Sequence, residues 1–257
     1  METCKLCLTQ KPLIKRSHII SEFFYEELYD GNHKLNSFTT KILSTNKRKI
    51  KRPSQGIYES GILCKECENS LLNKQYEDYS SKILYPERAS AKINFNVIRQ
   101  KMPDNLEFSH YQNVDFGKFK LFLLTNLWRA HIAKRPEFKE VNLGPHAEVI
   151  RQMLLNQDPK NKFDYPIAFL NLRNDPKVPL DLIIPSQARR DKNGNRIYVF
   201  ILNGYLFAFF VNSASVRIPE LFLESTITEK NEFKMFDVPK GMGWQLLLNN
   251  MGIKYLR

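Results

Sequence analysis

The four cysteines fall into two Cys-x-x-Cys pairs, Cys4-Lys5-Leu6-Cys7 and Cys64-Lys65-Glu66-Cys67, with 56 residues between them. A Cys-x-x-Cys turn brings two thiolates onto one ion. Two such turns complete a tetrahedral sulfur shell with bonds of about 2.3 Å, the geometry of structural zinc. The separation of the pairs is unconstrained, because a loop of any length can join them. The competing reading is two unrelated pairs of buried thiols. A redox role for one pair would leave the other unexplained, and neither lies in an evident βαβ unit. Zn2+ held by Cys4, Cys7, Cys64 and Cys67 is therefore expected.

Between the pairs lies Arg16-Ser17-His18-Ile19-Ile20-Ser21, and the second pair runs directly into Glu68-Asn69. A Cys-x-x-Cys, then His-Ile-Ile, then Leu-Cys-x-x-Cys opening a helix resembles the HNH endonucleases, the zinc-stapled form of the ββα-metal (His-Me finger) fold. The resemblance covers residues 4 to about 84. It implies a divalent-metal-dependent endonuclease hydrolysing DNA, with His18 as general base and a cation, Mg2+ or Mn2+, held near the helix start. Phosphodiester hydrolysis needs a base of near-neutral pKa to activate water and a cation to stabilise the charge that develops. Matching position by position, Ser17 stands where the family has Asp or His. Glu59 stands where it has Asn, and Glu68 where it has His or Asn. Glu68, with Asn69 or Glu59, is the expected cation-holding set.

Each of these residues has a second reading. His18 is a base, a hydrogen-bonded histidine in a module that only binds nucleic acid, or a zinc ligand. Glu68 binds a cation or supplies favourable charge in a first helical turn. Asn69 caps a helix or takes part in the chemistry. The alternative function is a catalytically degenerate zinc module that binds nucleic acid or presents the C-terminal part to a protein partner.

Charge points the same way. Lys plus Arg number 39 against 27 Asp plus Glu, a net +12, which suits a polyanionic partner. Residues 1–85 carry 14 basic against 10 acidic side chains, and residues 86–257 carry 25 against 17, so both parts contribute. The densest run, Lys47-Arg48-Lys49-Ile50-Lys51-Arg52, is the expected phosphate-contacting loop. DNA is the expected partner, with RNA as the other polyanion. The longest apolar stretch, Tyr198–Val211, is broken by Asn203-Gly204 and is too short to span a bilayer. With no secretory pattern at residues 1–20, a cytoplasmic protein is expected, with no membrane association. The family resemblance adds a role in prokaryotic antiviral defence or mobile-element biology.

These residues must be positioned by an α+β fold. A small zinc-bound ββα-metal unit over residues 1–85 is expected to precede a helical and antiparallel-sheet domain over 86–257. Helical spacing predicts a helix over 67–84, a buried helix over 116–134, another from Pro145 and a short one over 241–250. Residues 86–115 read as a connection with short strand pieces. Candidate strands are 166–172, 180–184, 197–202 and 205–211, and Asn203-Gly204 predicts a type I′ hairpin. Arg129 and His131 read as buried polar anchors. The C-terminal part is a candidate for binding a protein partner or for homodimerisation.

Overall fold

The computed structural model describes residues 2–35, 53–88, 93–103, 106–190, 194, 196–211, 218 and 220–250. The basic run Lys47, Arg48, Lys49, Lys51 and Arg52 lies outside the described residues.

The fold is α+β, as expected. Two short ladders open the chain. Strand β1 (Glu2–Thr3) pairs with β2 (Gln10–Lys11), and β3 (Ser17–His18) pairs with β4 (Tyr58–Glu59), both antiparallel. Helix α1 follows the second cysteine pair. Its wide-turned first part covers Glu66–Glu77, and its α-helical part covers Asp78–Leu84. Buried positions Glu68, Leu72, Tyr76 and Ser80 recur every four residues along it.

The connection expected to hold short strand pieces contains two six-residue strands, β5 (Asn96–Lys101) and β6 (Glu107–Gln112), which join the main sheet. Helix α2 (Phe116–Ile132) is capped by Asp115, whose carboxylate accepts from the Lys118 N–H at 2.9 Å. It is buried almost all round, as its apolar circumference predicts. Helix α3 (His146–Asn156) starts directly after Pro145.

Then come β7 (Ile167–Asn171), β8 (Ile183–Arg190), β9 (Arg196–Leu202), β10 (Tyr205–Val211), helix α4 (Glu220–Glu224), β11 (Glu232–Asp237) and helix α5 (Met242–Asn250). The β9–β10 hairpin turns at Asn203 and Gly204, with φ of 50° and 76°, as the type I′ expectation requires.

Among the described residues the main sheet has seven strands in the order β5-β6-β11-β7-β10-β9-β8. It is mixed rather than wholly antiparallel, because β11 enters between β6 and β7 and runs parallel to β7. Its two faces bury different sets of side chains. Phe169, Phe200, Phe207, Phe209 and Phe233 share a core with α2, whereas Ala168, Ile201, Leu206, Ala208 and Phe210 pack with Val238 and Leu247. Burial on both faces is why β9 and β10 read as continuous apolar runs instead of alternating ones.

The expected division at residues 85 and 86 does not divide the core. One apolar cluster runs from Cys4 through Phe24, Leu72, Phe122 and Leu154 to Met235. Phe24 and its neighbour Phe23 stack on Phe122 of α2, with ring centroids 6.3 and 5.6 Å away. Tyr76 donates from its hydroxyl to the Leu154 carbonyl at 2.9 Å. A segment of about 85 residues has little core of its own, and α2 and α3 supply the missing wall. No helix among the described residues is long and apolar enough to cross a membrane.

Lys120 shows how tightly α2 is enclosed. It is 1% exposed, its ammonium donates to the Asn161 carbonyl at 2.6 Å, and burial lowers its pKa to about 8. Below pH 8 the folded state pays for a buried charge. Between about 8 and 10.5 the unfolded chain binds the proton and the folded one does not, so stability rises with pH across that window. The difference in unfolding free energy between the parent and Lys120→Met, from urea titrations at pH 7 to 10.5, should shift in favour of the parent as pH rises. A constant difference would contradict this.

Candidate metal centre and nucleic-acid face

The cysteine turns are built by backbone bonds that cross between the two pairs. The Cys4 N–H donates to Thr9 O, Leu8 N–H to Cys4 O, and Lys5 N–H to Ile62 O, at 2.9–3.0 Å. Leu13 bridges Cys64, and the Ile14 N–H donates to Leu63 O at 2.9 Å. The second pair then enters α1, where the Glu68 N–H donates to Cys64 O at 3.0 Å.

The four sulfurs lie within 4.8 Å of one another. A tetrahedral thiolate site with 2.3 Å bonds has edges of about 3.8 Å, so the donor set fits a structural metal. Cys4, Cys64 and Cys67 are buried. The Cys64 N–H also points at the Cys4 sulfur at 3.4 Å. A hydrogen bond from Cys67 lowers the Cys4 thiol to about 4, and the same interaction drives the Cys67 thiol far up. Four thiolates at this spacing repel one another, and a divalent cation among them removes the conflict. Among the described residues no second set of three or more His, Cys, Asp or Glu ligand atoms converges.

The other expected site residues do not stand together. His18 lies on β3, opposite Tyr58 of β4. Its side chain is 26% exposed, and Nε2 lies 2.9 Å from the Glu22 carboxylate. The other Glu22 oxygen accepts from the Tyr29 hydroxyl at 2.6 Å, and the Tyr29 ring stacks on His33 at 3.9 Å. Burial raises the Glu22 carboxyl, but the hydrogen bonds from His18 and Tyr29 outweigh it and leave the group below its ordinary value. Sequence reading passed over Glu22. The cue was its i+4 spacing from His18, across a break from strand to turn.

Glu59 is opposite Ser17 in the same ladder, so it is on the other face from His18 and Tyr58. Its carboxylate accepts from the Lys134 N–H at 2.9 Å. Glu68 is buried and ion-paired to Arg129 Nη2 at 2.9 Å. Arg129, fully buried on α2, also reaches Glu77 at 2.6 Å. Burial pushes the Glu68 carboxyl up, against the pull of Arg129. Asn69 is exposed and lies within α1, after the helix has begun, so it does not cap it.

No family model, curated protein or solved structure matches the chain.

The expected anchors of α2 do hold neighbouring segments. Besides Arg129, His131 Nδ1 accepts from the Leu143 N–H at 3.3 Å. Asn126, which sequence reading did not single out, accepts from the Ser21 N–H at 3.0 Å and so ties the turn after β3 to α2. Arg151 of α3 donates to the Leu6 carbonyl inside the first cysteine turn. The Leu35 N–H donates to the Pro53 carbonyl at 2.8 Å, and the Gly56 N–H to the Tyr29 hydroxyl at 3.2 Å.

Proposed function

We propose that the chain is an HNH-type endonuclease acting on DNA, with Zn2+ on Cys4, Cys7, Cys64 and Cys67 and His18 as the base. The observation that carries this reading is the position of His18. It lies on the first strand of a strand–strand–helix unit whose helix begins at the second cysteine pair, and its ring is held by Glu22, itself pinned by Tyr29.

In the reaction, the imidazole takes a proton from water as the water oxygen attacks phosphorus. The P–O bond to the leaving sugar oxygen breaks, and that oxygen takes a proton from solvent. Glu22 orients the ring and stabilises the imidazolium, as a carboxylate does for a histidine base elsewhere. An endonuclease of this kind would draw charge neutralisation from a divalent cation, Mg2+ or Mn2+, but among the described residues no second set of ligand atoms besides the cysteines converges to hold one. Glu59 and Glu68 do not fit that task, since the Lys134 N–H and Arg129 hold them and Glu59 is on the face opposite His18.

Those same two contacts favour a second reading: a zinc module that binds DNA without cutting it. Cleavage of supercoiled plasmid separates the two, run with Mg2+, with Mn2+ and with EDTA. Under the first reading the parent nicks or linearises the plasmid, and His18→Ala lowers the rate by about 100-fold or more. Equal cleavage by both proteins would remove His18 as the base. Retention of DNA with no cleavage by either would establish the second reading.

A further inference from the structure

The face of the β3–β4 ladder that carries His18 also carries Tyr58, and two guanidinium groups lie over that tyrosine ring. The Arg16 guanidinium carbon is 6.0 Å from the Tyr58 ring centroid, and that of Arg135 is 5.5 Å away. The Tyr58 ring meets the His18 ring edge-on, with centroids 6.4 Å apart. Arg16 directly precedes β3, and its guanidinium reaches the Tyr58 ring beside His18. Arg135 arrives from elsewhere, in the short link between α2 and Pro136. Its Nε donates to the Tyr58 carbonyl at 2.8 Å, which fixes one edge of the guanidinium.

What these two arginines lack is an acid. Arg88, Arg99, Arg129 and Arg151 each close on at least one carboxylate, whereas Arg16, Arg135 and Arg173 each have a tyrosine ring beside the guanidinium instead. Among the described residues, no carboxylate lies within ion-pair distance of Arg16 or Arg135. The nearby Glu59 carboxylate is on the opposite face of the ladder and is held by the Lys134 N–H, and Glu22 is held by His18 and Tyr29. Arg16 is exposed and Arg135 half-buried, so their remaining N–H groups are open to a ligand. A guanidinium fork matches the oxygens of a phosphodiester, and an aromatic ring beside it offers a surface for a sugar or a base.

We infer that Arg16 and Arg135, both within 6.0 Å of the Tyr58 ring centroid, form a phosphate-binding clamp that seats a DNA strand against His18. This deepens the proposed endonuclease reading and rests on it for the role of His18. The basic partner Arg135 comes from outside the ββα unit, so the link after α2 supplies part of the DNA-binding face.

The test uses the full zinc-loaded chain and a fluorescein-labelled 20-base-pair duplex (about two helical turns), with anisotropy read over a salt series. Each phosphate contact contributes about 0.9 to the slope of log K against log salt. Arg16→Gln should lower the slope by about 0.9, and Arg16→Gln with Arg135→Ala by about 1.8. Arg135→Lys, which keeps the charge, should leave the slope near that of the parent. Zinc content and thermal unfolding of each variant check that the fold is intact. An unchanged slope in folded variants overturns the clamp, and plasmid cleavage by the parent would still uphold the endonuclease. A lowered slope without any cleavage upholds the clamp and overturns the endonuclease. A parent that does not bind the duplex at low salt overturns both.

Discussion

Stripping the metal from Cys4, Cys7, Cys64 and Cys67 should lower the unfolding temperature by about 10 °C or more, and Cys64→Ser should do the same. Structural zinc on four thiolates supplies about 10–16 kcal/mol in small zinc-finger peptides, as much as the whole stability of an ordinary domain. For a chain of this size about 1 kcal/mol moves the midpoint by roughly 2–4 °C, so losing even a third of that energy gives the stated shift. The damage should spread beyond the cysteine turns. Phe23 and Phe24 stack on Phe122, and Arg151 holds the first turn through the Leu6 carbonyl. Loosening residues 2–35 therefore exposes the wall of α2. Metal content by atomic emission should give one zinc per chain in the parent and none in Cys64→Ser. A metal-free parent with an unchanged midpoint would show that the four thiols hold no structural metal.

Arg129→Met should destabilise the protein by about 3–5 kcal/mol, because it leaves two carboxylates without their cation. Arg129 is fully buried, and its two ends reach Glu68 at 2.9 Å and Glu77 at 2.6 Å. The cost comes mainly from the stranded charges, so replacing those charges as well should recover most of it. Urea titration of Arg129→Met, and of the same variant carrying Glu68→Gln and Glu77→Gln, should show the triple variant well above the single one. If the two unfold alike, packing of the arginine stem carries the effect and the ion pairs contribute little. The network also ties α1, which bears Cys67, to α2, so the single variant should hold zinc more weakly in a chelator competition.

Some of this was legible residue by residue. The two Cys-x-x-Cys turns are local, and the turn itself sets where each pair of sulfurs points. Asn203-Gly204 adopts the positive φ values of a type I′ turn wherever two apolar strands flank it. Pro145 opens α3 because its missing N–H costs nothing in a first turn. The run from Phe116 makes a helix apolar on most sides, and such a helix is buried whatever packs against it.

Other features depended on partners far along the chain. β11 lies parallel to β7 and between it and β6, an arrangement that no periodicity within Glu232–Asp237 encodes. Glu68 has the same carboxylate whether a divalent cation or a guanidinium faces it, and only the approach of α2 decided for Arg129. Glu59 was turned from His18 by the pleat, which sends neighbours in a strand to opposite faces, and was then taken by the Lys134 N–H. The boundary near residue 85 vanished for a similar reason. Composition marks where cysteines stop, but a segment of about 85 residues has too little apolar surface to close its own core and borrows α2 and α3. By itself, then, the sequence determined the two cysteine turns, the hairpin and the buried helix, whose geometry follows from neighbouring residues. Only the tertiary structure decided which charges meet, because a charged side chain takes the partner that burial leaves within reach.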